Sequence, residues 1–210
     1  MTSTYPVHYS VEHPPHFSRV GLLVRVVAFI ALGMIGLSFG AIFSFAFLML
    51  PVIAACRLAG GRDPQAYRRE DGPRIMGALR WLAAISAWAS LTAERLPGSS
   101  ADEIVRLELA LEDAPPRATT PGSAIWRVIT GIPSAIVLAV LGWIGMFVWA
   151  WAALSILLWE RVGPGAFGYL VGLQRWSIRL LAYQASLVDE YPPFSLSEAA
   201  QPLPTARAIG

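Results

Sequence analysis

The residue types that could support chemistry are few, and one group of them lies near the N-terminus. His8, His13 and His16 flank Glu12, and imidazole and carboxylate groups are common ligands of zinc and other transition metals. No nearby cysteine and no second histidine cluster in the sequence completes a set of metal ligands with them. His8 and His13 would also lie on opposite faces of a continuing strand. We therefore expect solvated histidines, no metal site and no other cofactor.

A second motif with possible chemistry is the segment from Gly36 to Gly40, which reads Gly-Leu-Ser-Phe-Gly. It matches the nucleophile elbow of serine hydrolases, but that elbow requires a strand-turn-helix context and a histidine partner. Ser38 instead lies within an apolar run, and all three histidines precede residue 17. Glycines four residues apart favour close helix packing. We predict this packing role for Gly36 and Gly40, and also for Gly77 and Gly172.

The composition indicates a membrane protein. Hydrophobic residues make up 55% of the chain and charged residues 14%, whereas an ordinary soluble domain is about 25% charged. The runs from Val26 to Cys56 and from Val128 to Trp159 carry no formal charge. Because a membrane span needs ~20 apolar residues, each run is longer than necessary and must tilt, protrude or break. We expect a multi-pass protein of the bacterial inner (plasma) membrane.

The charged residues inside or beside such a membrane are the remaining candidates for a site. All 16 basic residues are arginines, and they are scattered along the chain, which argues against nucleic-acid binding. Intramembrane charges are functional hypotheses by default, while arginines on interfacial helices contact lipid headgroups. We predict contacts with lipid or partner proteins for seven residues: Arg80, Arg175, Arg179, Trp81, Trp176, Glu94 and Asp189. None of them forms a recognisable catalytic motif, so no enzyme activity is expected.

The same pattern of residues occurs twice along the chain. Gly77-Ala-Leu-Arg-Trp81 resembles Gly172-Leu-Gln-Arg-Trp176. Each is followed at matching distances by an aromatic residue, an acid and a proline: Trp88, Glu94 and Pro97 in the first copy, Tyr183, Asp189 and Pro192 in the second. Arg-Val-Val at 25–27 and Arg-Val-Ile at 127–129 precede the two apolar runs. We interpret this as an internal tandem repeat.

The repeat predicts a mainly α, integral membrane fold. Each copy contains a short strand, a long transmembrane helix and an amphipathic helix, and the last either spans the bilayer or lies in its interface. The boundaries are 1–97 for the first copy, 98–196 for the second and 197–210 for a C-terminal tail. The alternating segments 5–12 and 104–112 are predicted to be strands. They could pair with each other if both helices of the first copy cross the membrane.

Four segments carry a resemblance to a known family. They are Tyr5-Pro-Val7, Phe17-Ser-Arg19, Arg175-Trp-x-x-Arg-x-x-Ala-Tyr183 and Asp189-Glu-Tyr-Pro-Pro-Phe-Ser-Leu196. Together they resemble domain of unknown function 4389, a family of small bacterial membrane proteins. The resemblance covers nearly the whole chain when both copies are counted, and it is closer in the second copy. It implies a multi-helix membrane fold without an assigned activity.

Function is expected to follow from packing and not from catalysis. The first hypothesis is a structural or accessory subunit that packs against membrane lipids and against larger membrane protein subunits or itself. The alternative is a homo-oligomeric channel or small transporter, because internal repeats are common in those proteins. The loop from Arg57 to Arg74 holds the densest cluster of basic residues, and such loops are usually cytoplasmic.

Overall fold

A computed structural model describes residues 5–34, 38–109 and 120–197 of the chain, and the protein is mainly helical. The predicted packing residue Gly36, the end of the second predicted strand beyond Leu109 and most of the predicted tail lie outside the described residues. The described elements are β1 Val7–Val11, α1 Arg19–Met34, α2 Phe39–Ala59, α3 Pro64–Glu70, α4 Gly72–Ala89, β2 Val105–Leu109, α5 Pro121–Trp159 and α6 Pro164–Gln184.

The longest element is α5, with 39 residues. Its first turn is a capping box in which Thr120 and Ser123 satisfy each other's backbone N–H groups, and Pro121 occupies a first-turn position where no N–H is needed. At 1.5 Å per residue the helix is about 58 Å long. The segments Gly40–Ala59 and Pro121–Trp159 are long and apolar enough to cross a membrane by length and composition.

The first apolar run is divided between two helices, unlike the second. α1 ends at Met34 and α2 begins at Phe39. Between them Ser38 has extended backbone (φ −121°, ψ 158°), and its side chain accepts a hydrogen bond from Ala41 N–H. Ser38 is therefore a helix cap, which is a common position for serine. The sequence left open whether this run tilts, protrudes or breaks, and in the structure the helix breaks before Ser38.

Both halves of the broken run lie antiparallel along α5. At one end, the N–H of Phe17 donates to the carbonyl oxygen of Glu160 at 2.8 Å. In the middle of α1, the rings of Phe29 and Trp149 are 5.7 Å apart. At the other end, the last turns of α2 share a small apolar cluster with Ala124 at the start of α5. The three helices thus form one long apolar layer.

The segment from Arg57 to Arg74, which was expected to be a loop, contains the short helix α3. Asp63 caps this helix by accepting from the N–H groups of Gln65 and Ala66. The hydroxyl of Tyr67 donates to the carbonyl oxygen of Ala185 at 2.8 Å. Burial, with a smaller contribution from the nearby Asp71, raises the pKa of Tyr67 to about 12, so the hydroxyl keeps the proton it donates. The expectation was wrong because capping and burial of Tyr67 stabilise a helix there.

The predicted pairing of the two extended segments is confirmed. β1 and β2 form a two-stranded antiparallel sheet in which Tyr9 lies opposite Leu107 and Val7 lies opposite Leu109. Val7, Tyr9 and Leu107 are buried, whereas alternate residues on β2 are exposed. One face of the sheet therefore packs on the protein and the other faces outward, as the alternating sequence pattern predicts.

Helix α6 forms the centre of the protein. From Leu170 to Gln184 nearly all of its residues are buried. On one side it packs along α5, where the Tyr169 hydroxyl donates to the Leu141 carbonyl at 2.8 Å. On the other side it contacts β1, where Arg175 Nε donates to the Tyr9 carbonyl at 3.1 Å. The protein thus has three layers: the long helices α1, α2 and α5, then α4 with α6, then the sheet.

Candidate functional site

The best-formed polar cluster surrounds Arg127, near the start of α5. Its Nη1 donates to the carbonyl oxygens of Tyr183 at 2.9 Å and Val188 at 2.5 Å, and its Nη2 donates to Asp189 Oδ1 at 2.9 Å. The guanidinium also lies over the Tyr183 ring, 4.6 Å from its centroid. The other oxygen of Asp189 accepts from Arg68 at 2.7 Å. This arrangement neutralises a buried charge and ties α5 to the end of α6.

A similar cluster surrounds Arg25 in α1, which is completely buried. Its Nη2 donates to the carbonyl oxygens of Ala93 at 2.6 Å and Glu94 at 2.7 Å, and it lies 3.7 Å from the Glu94 carboxylate. The guanidinium lies 5.4 Å from the centroid of the Trp88 ring. Glu94 also accepts from the backbone N–H of Ser18. The cluster holds α1 against the chain that follows α4.

The two clusters have the same parts in the same order. Each consists of an arginine near the start of one helix, an aromatic ring in the last turn of a later helix and an acid soon after that later helix ends. The later helices also end alike, because Leu91 and Ser186, just past their last turns, both have positive φ, at 61° and 56°. Non-glycine residues seldom adopt this conformation. Both clusters tie a helix to the segment that follows another helix, so they act as structural anchors.

Three arginines predicted to contact lipid or partners instead bind the two strands. Arg175 Nε donates to Tyr9 O at 3.1 Å, and Arg179 Nε donates to Val7 O at 3.3 Å. Arg80 Nε donates to Leu107 O at 3.1 Å. Arg175 and Arg179 are buried and bind the backbone of their own chain, and their contact with lipid or partner proteins stays a prediction. Their guanidinium groups satisfy carbonyl oxygens at the strand–helix interface, where water is excluded.

The other predicted contact residues divide between buried and exposed positions. Trp176 is buried and packs edge-on against Phe194 at 5.4 Å, so within this chain its contact is with Phe194. Trp81, its counterpart in the earlier motif, is 40% exposed. Glu94 and Asp189 form ion pairs inside the chain with Arg25, Arg68 and Arg127. Of the seven residues, Trp81 and the half-exposed Arg80 retain a surface for partners.

The predicted packing glycines behave differently from one another. A Cβ atom on Gly172 would lie 2.7 Å from the Leu196 carbonyl oxygen, so this glycine allows the chain after α6 to lie against the helix. Gly77 has nothing within 4 Å of such an atom, and Gly40 has only the Ser38 hydroxyl at 3.8 Å. Within the described chain no other element therefore packs closely on Gly40 or Gly77, and the packing role of these two stays a prediction.

Two further close glycine contacts lie on α5, at positions that the sequence reasoning missed. A Cβ atom on Gly131 would overlap the side-chain amide of Gln184 and touch the Phe47 ring, and one on Gly145 would lie 3.2 Å from Leu173. Arg25 and Arg127 were also missed as site residues. The available signal for them was their position at the same point of both sequence copies.

Two of the three histidines near the N-terminus have hydrogen-bond partners, and these partners differ. His13 Nε2 lies 3.1 Å from the carbonyl oxygen of Val162, and His16 Nε2 lies 2.8 Å from Glu160 Oε2. Arg19 also pairs with Glu160, at 3.3 Å. The pKa of Glu160 is held below its ordinary value, first by the hydrogen bond from His16 and then by the charge of Arg19. Within the described part of the chain, no three potential ligand side chains converge as a metal site.

A cavity of about 720 Å³ lies between the long-helix layer and the layer of α4 and α6. Phe43 and Phe47 of α2, Leu82 of α4 and Trp143 of α5 contribute to its apolar lining. The main polar group on its wall is Gln174, whose amide oxygen accepts from Tyr9 and whose NH₂ group donates to the Ser86 carbonyl. Because this amide is already bonded within the chain, the cavity offers mainly apolar contact.

The comparisons with known proteins bear on the segment that holds the Arg127 cluster. Residues 121–195 match the family model described as Domain of unknown function (DUF4389). The matched segment starts with α5 and ends after α6, so it contains Arg127, Arg175, Arg179 and Asp189. The match supports the resemblance to this family for one copy, whereas the resemblance read from the sequence extended over both. No curated protein and no solved structure matches the chain.

Proposed function

We propose that this chain is a membrane-embedded accessory protein without catalytic activity. The observation that supports this is the outer surface of α1, α2 and α5. Large apolar side chains are exposed along the full length of these helices, among them Met34 at 78%, Phe147 at 74% and Trp143 at 67%. Soluble monomers rarely expose contiguous apolar patches of more than a few hundred Å². A lipid environment removes the cost of this exposure.

We further infer that the chain arose as a tandem duplication of one membrane unit. Three features support this inference: the two arginine clusters, the positive φ angles at Leu91 and Ser186, and the strand register. In that register Val7 lies opposite Leu109 and Tyr9 lies opposite Leu107. If Val7 corresponds to Leu107 and Tyr9 to Leu109, each residue pairs with the counterpart of the other, as expected for two equivalent strands related by a two-fold axis. The two copies then complete each other, because each strand finds its hydrogen-bonding partner in the other copy.

The first copy offers the surface on which a larger partner would pack. On α4, Trp81 and Ile85 are each 40% exposed and lie one helical turn apart. In the second copy, Trp176 is covered by Phe194 of the segment that follows α6. Partner subunits enter interfaces preferentially through aromatic anchors. We infer that another membrane protein packs over this exposed pair, as Phe194 packs over Trp176 in the second copy.

Purification from the native bacterial inner membrane in mild detergent tests this function. We expect mass spectrometry to recover a larger membrane subunit in constant ratio to the chain. The double substitution of Trp81 and Ile85 by alanine should reduce that ratio at least several-fold. The matched control is substitution of the exposed Ile136 and Val140 by alanine on the lipid-facing surface. Recovery of the chain alone as a monodisperse homo-oligomer that conducts ions would overturn the accessory role and support a channel.

A further inference from the structure

We propose that the long helices lie parallel to the membrane plane in a single leaflet, with the sheet in the water above them. The partner surface is the acyl-chain region of one lipid monolayer. The proposal rests on the membrane-embedded function above and adds a specific orientation. It replaces the multi-pass crossing that the apolar runs alone suggest.

The first support is length. With 39 residues, α5 is about 58 Å long, roughly twice the ~30 Å hydrocarbon core of a bilayer. α1 and α2 lie alongside it from end to end, with Phe17 near Glu160 and Leu58 clustered with Ala124. A perpendicular crossing would leave about half of this apolar layer in water. A helix ~10–12 Å in diameter fits instead within one leaflet when it lies flat.

The second support is the position of the sheet over the middle of α5. Tyr169 of α6 bonds to Leu141, close to the midpoint of α5. On the other side of α6, Arg175 bonds to the backbone of Tyr9 in β1, and the Tyr9 hydroxyl donates to Gln174. The sheet is therefore stacked on the centre of the long helix and not beyond either of its ends.

The third support is the separation of charge from apolar surface across the layers. The residues exposed around the sheet include Glu12, Asp102, Glu103, Arg106 and Glu108. The exposed residues of α5 from Val128 to Trp159 carry no charge at all. If α5 stood perpendicular and centred in the bilayer, Arg106 and Glu108 would face lipid at mid-depth, where charged side chains are strongly disfavoured. When α5 lies flat, the charged residues around the sheet are in water and the apolar face of α5 is in lipid.

The tryptophans of α5 fit the same orientation. Tryptophan is enriched at the level of the lipid headgroups, so a spanning helix typically carries it near its two ends. Exposed tryptophans occur instead along the length of α5: Trp126, Trp143, Trp151 and Trp159. A helix that lies in the plane keeps every point of its length at a similar depth. Its tryptophans then need not be confined to its two ends.

Cysteine labelling in cells that express the full chain tests the orientation directly. In a Cys56→Ser background, single cysteines replace Gln65, beside the start of α5, and Arg161, just past its end; both residues are exposed. Glu108→Cys reports on the sheet and Val140→Cys on the apolar face. A membrane-impermeant maleimide is applied to intact cells and, separately, to inverted vesicles.

The in-plane orientation predicts that cysteines at 65, 161 and 108 react from the same side of the membrane and fail to react from the other. The cysteine at 140 should be labelled at least tenfold less than these three. Reaction of positions 65 and 161 from opposite sides would overturn the orientation while leaving membrane embedding intact. Recovery of the chain in the soluble fraction, with position 140 labelled as fast as position 108, would overturn both the orientation and the proposed function.

Discussion

The Nη2 atom of Arg127 lies 2.9 Å from Oδ1 of Asp189, and both side chains are about 10% exposed. The acid comes from the segment after α6, so the pair fixes that segment to the start of α5. The second carboxylate oxygen accepts from Arg68 in α3. One acid therefore links three elements that are distant in sequence. The equivalent link in the first half of the chain is Arg25 with Glu94, at 3.7 Å.

Removal of one member of the Arg127 pair is expected to destabilise the fold strongly. Arg127→Met leaves the Asp189 carboxylate beside a single cation and leaves the carbonyls of Tyr183 and Val188 without their donor. Breaking a buried pair costs about 3–5 kcal/mol of unfolding free energy. The measurement is thermal unfolding in detergent, with the exposed Arg106→Met as control. Equal melting temperatures for the two variants would contradict the anchoring role.

Gly131 and Gly142 provide a matched test of helix packing within α5. A Cβ atom at Gly131 overlaps Gln184, whereas one at Gly142 has nothing within 4 Å. Gly131→Ala should therefore cost about 1–3 kcal/mol by overpacking. Gly142→Ala should leave stability unchanged or raise it, because alanine favours helix by up to ~1 kcal/mol over glycine. Unfolding of both variants under identical detergent conditions checks the prediction. A larger loss at Gly142 would be inconsistent with the helix packing described.

The register of the sheet predicts which engineered cysteine pair will crosslink. Ser10 lies directly opposite Arg106, and directly opposed Cβ atoms are about 4.5–5.5 Å apart. In a Cys56→Ser background, cysteines at these two positions should form a disulfide under mild oxidation. The control pairs Ser10 with Glu108, which lies diagonally across the ladder and should crosslink far less. The reverse preference would show a register shifted by two residues.

The ion pair at the end of α5 predicts a pH dependence. Since His16 and Arg19 lower the pKa of Glu160 in the folded protein, its carboxylate stabilises the fold above the unfolded pKa. That contribution is lost as the pH falls through the lower folded pKa. The Phe17 N–H, which donates to the Glu160 carbonyl, should therefore lose hydrogen-exchange protection in acid. The Leu22 N–H, bonded within α1 to Ser18, serves as the internal control.

In the Glu160→Gln variant, the hydrogen-exchange protection of the Phe17 N–H should no longer change with pH through the acidic range. The amide side chain cannot titrate there, and it also removes the favourable charge beside Arg19. Protection that still falls with the same midpoint in this variant would assign the pH dependence to another group.

Several features of the fold follow from local sequence patterns. Alternation of apolar and polar residues predicted the two strands, and the uncharged runs predicted the long helices. The pairing of β1 with β2 was predicted from the equivalent positions of these segments in the proposed repeat. These predictions succeed because alternation and apolar length are set by residues near each other in sequence.

Other features depend on contacts that sequence spacing does not contain. Arg175 and Arg179 form a basic stripe whether they face lipid or strand carbonyls, and only the position of β1 decides between the two. Gly40 and Gly77 fit a packing motif but have no neighbour close by. Gly131 does have close neighbours, but nothing in the local sequence distinguishes it from the other glycines of α5. The break at Ser38 likewise lies within a run that carries no formal charge.

Alkaline carbonate extraction of membranes from cells that express the full chain tests the central claim most directly. The exposed apolar layer of α1, α2 and α5 should keep the chain in the membrane pellet and float it with lipid vesicles in a density gradient. Substitution of Trp143 and Phe147 by glutamate on this layer should release a large fraction, whereas Arg106→Glu on the sheet should release none. Quantitative release of the unmodified chain as a monodisperse soluble protein would contradict the account.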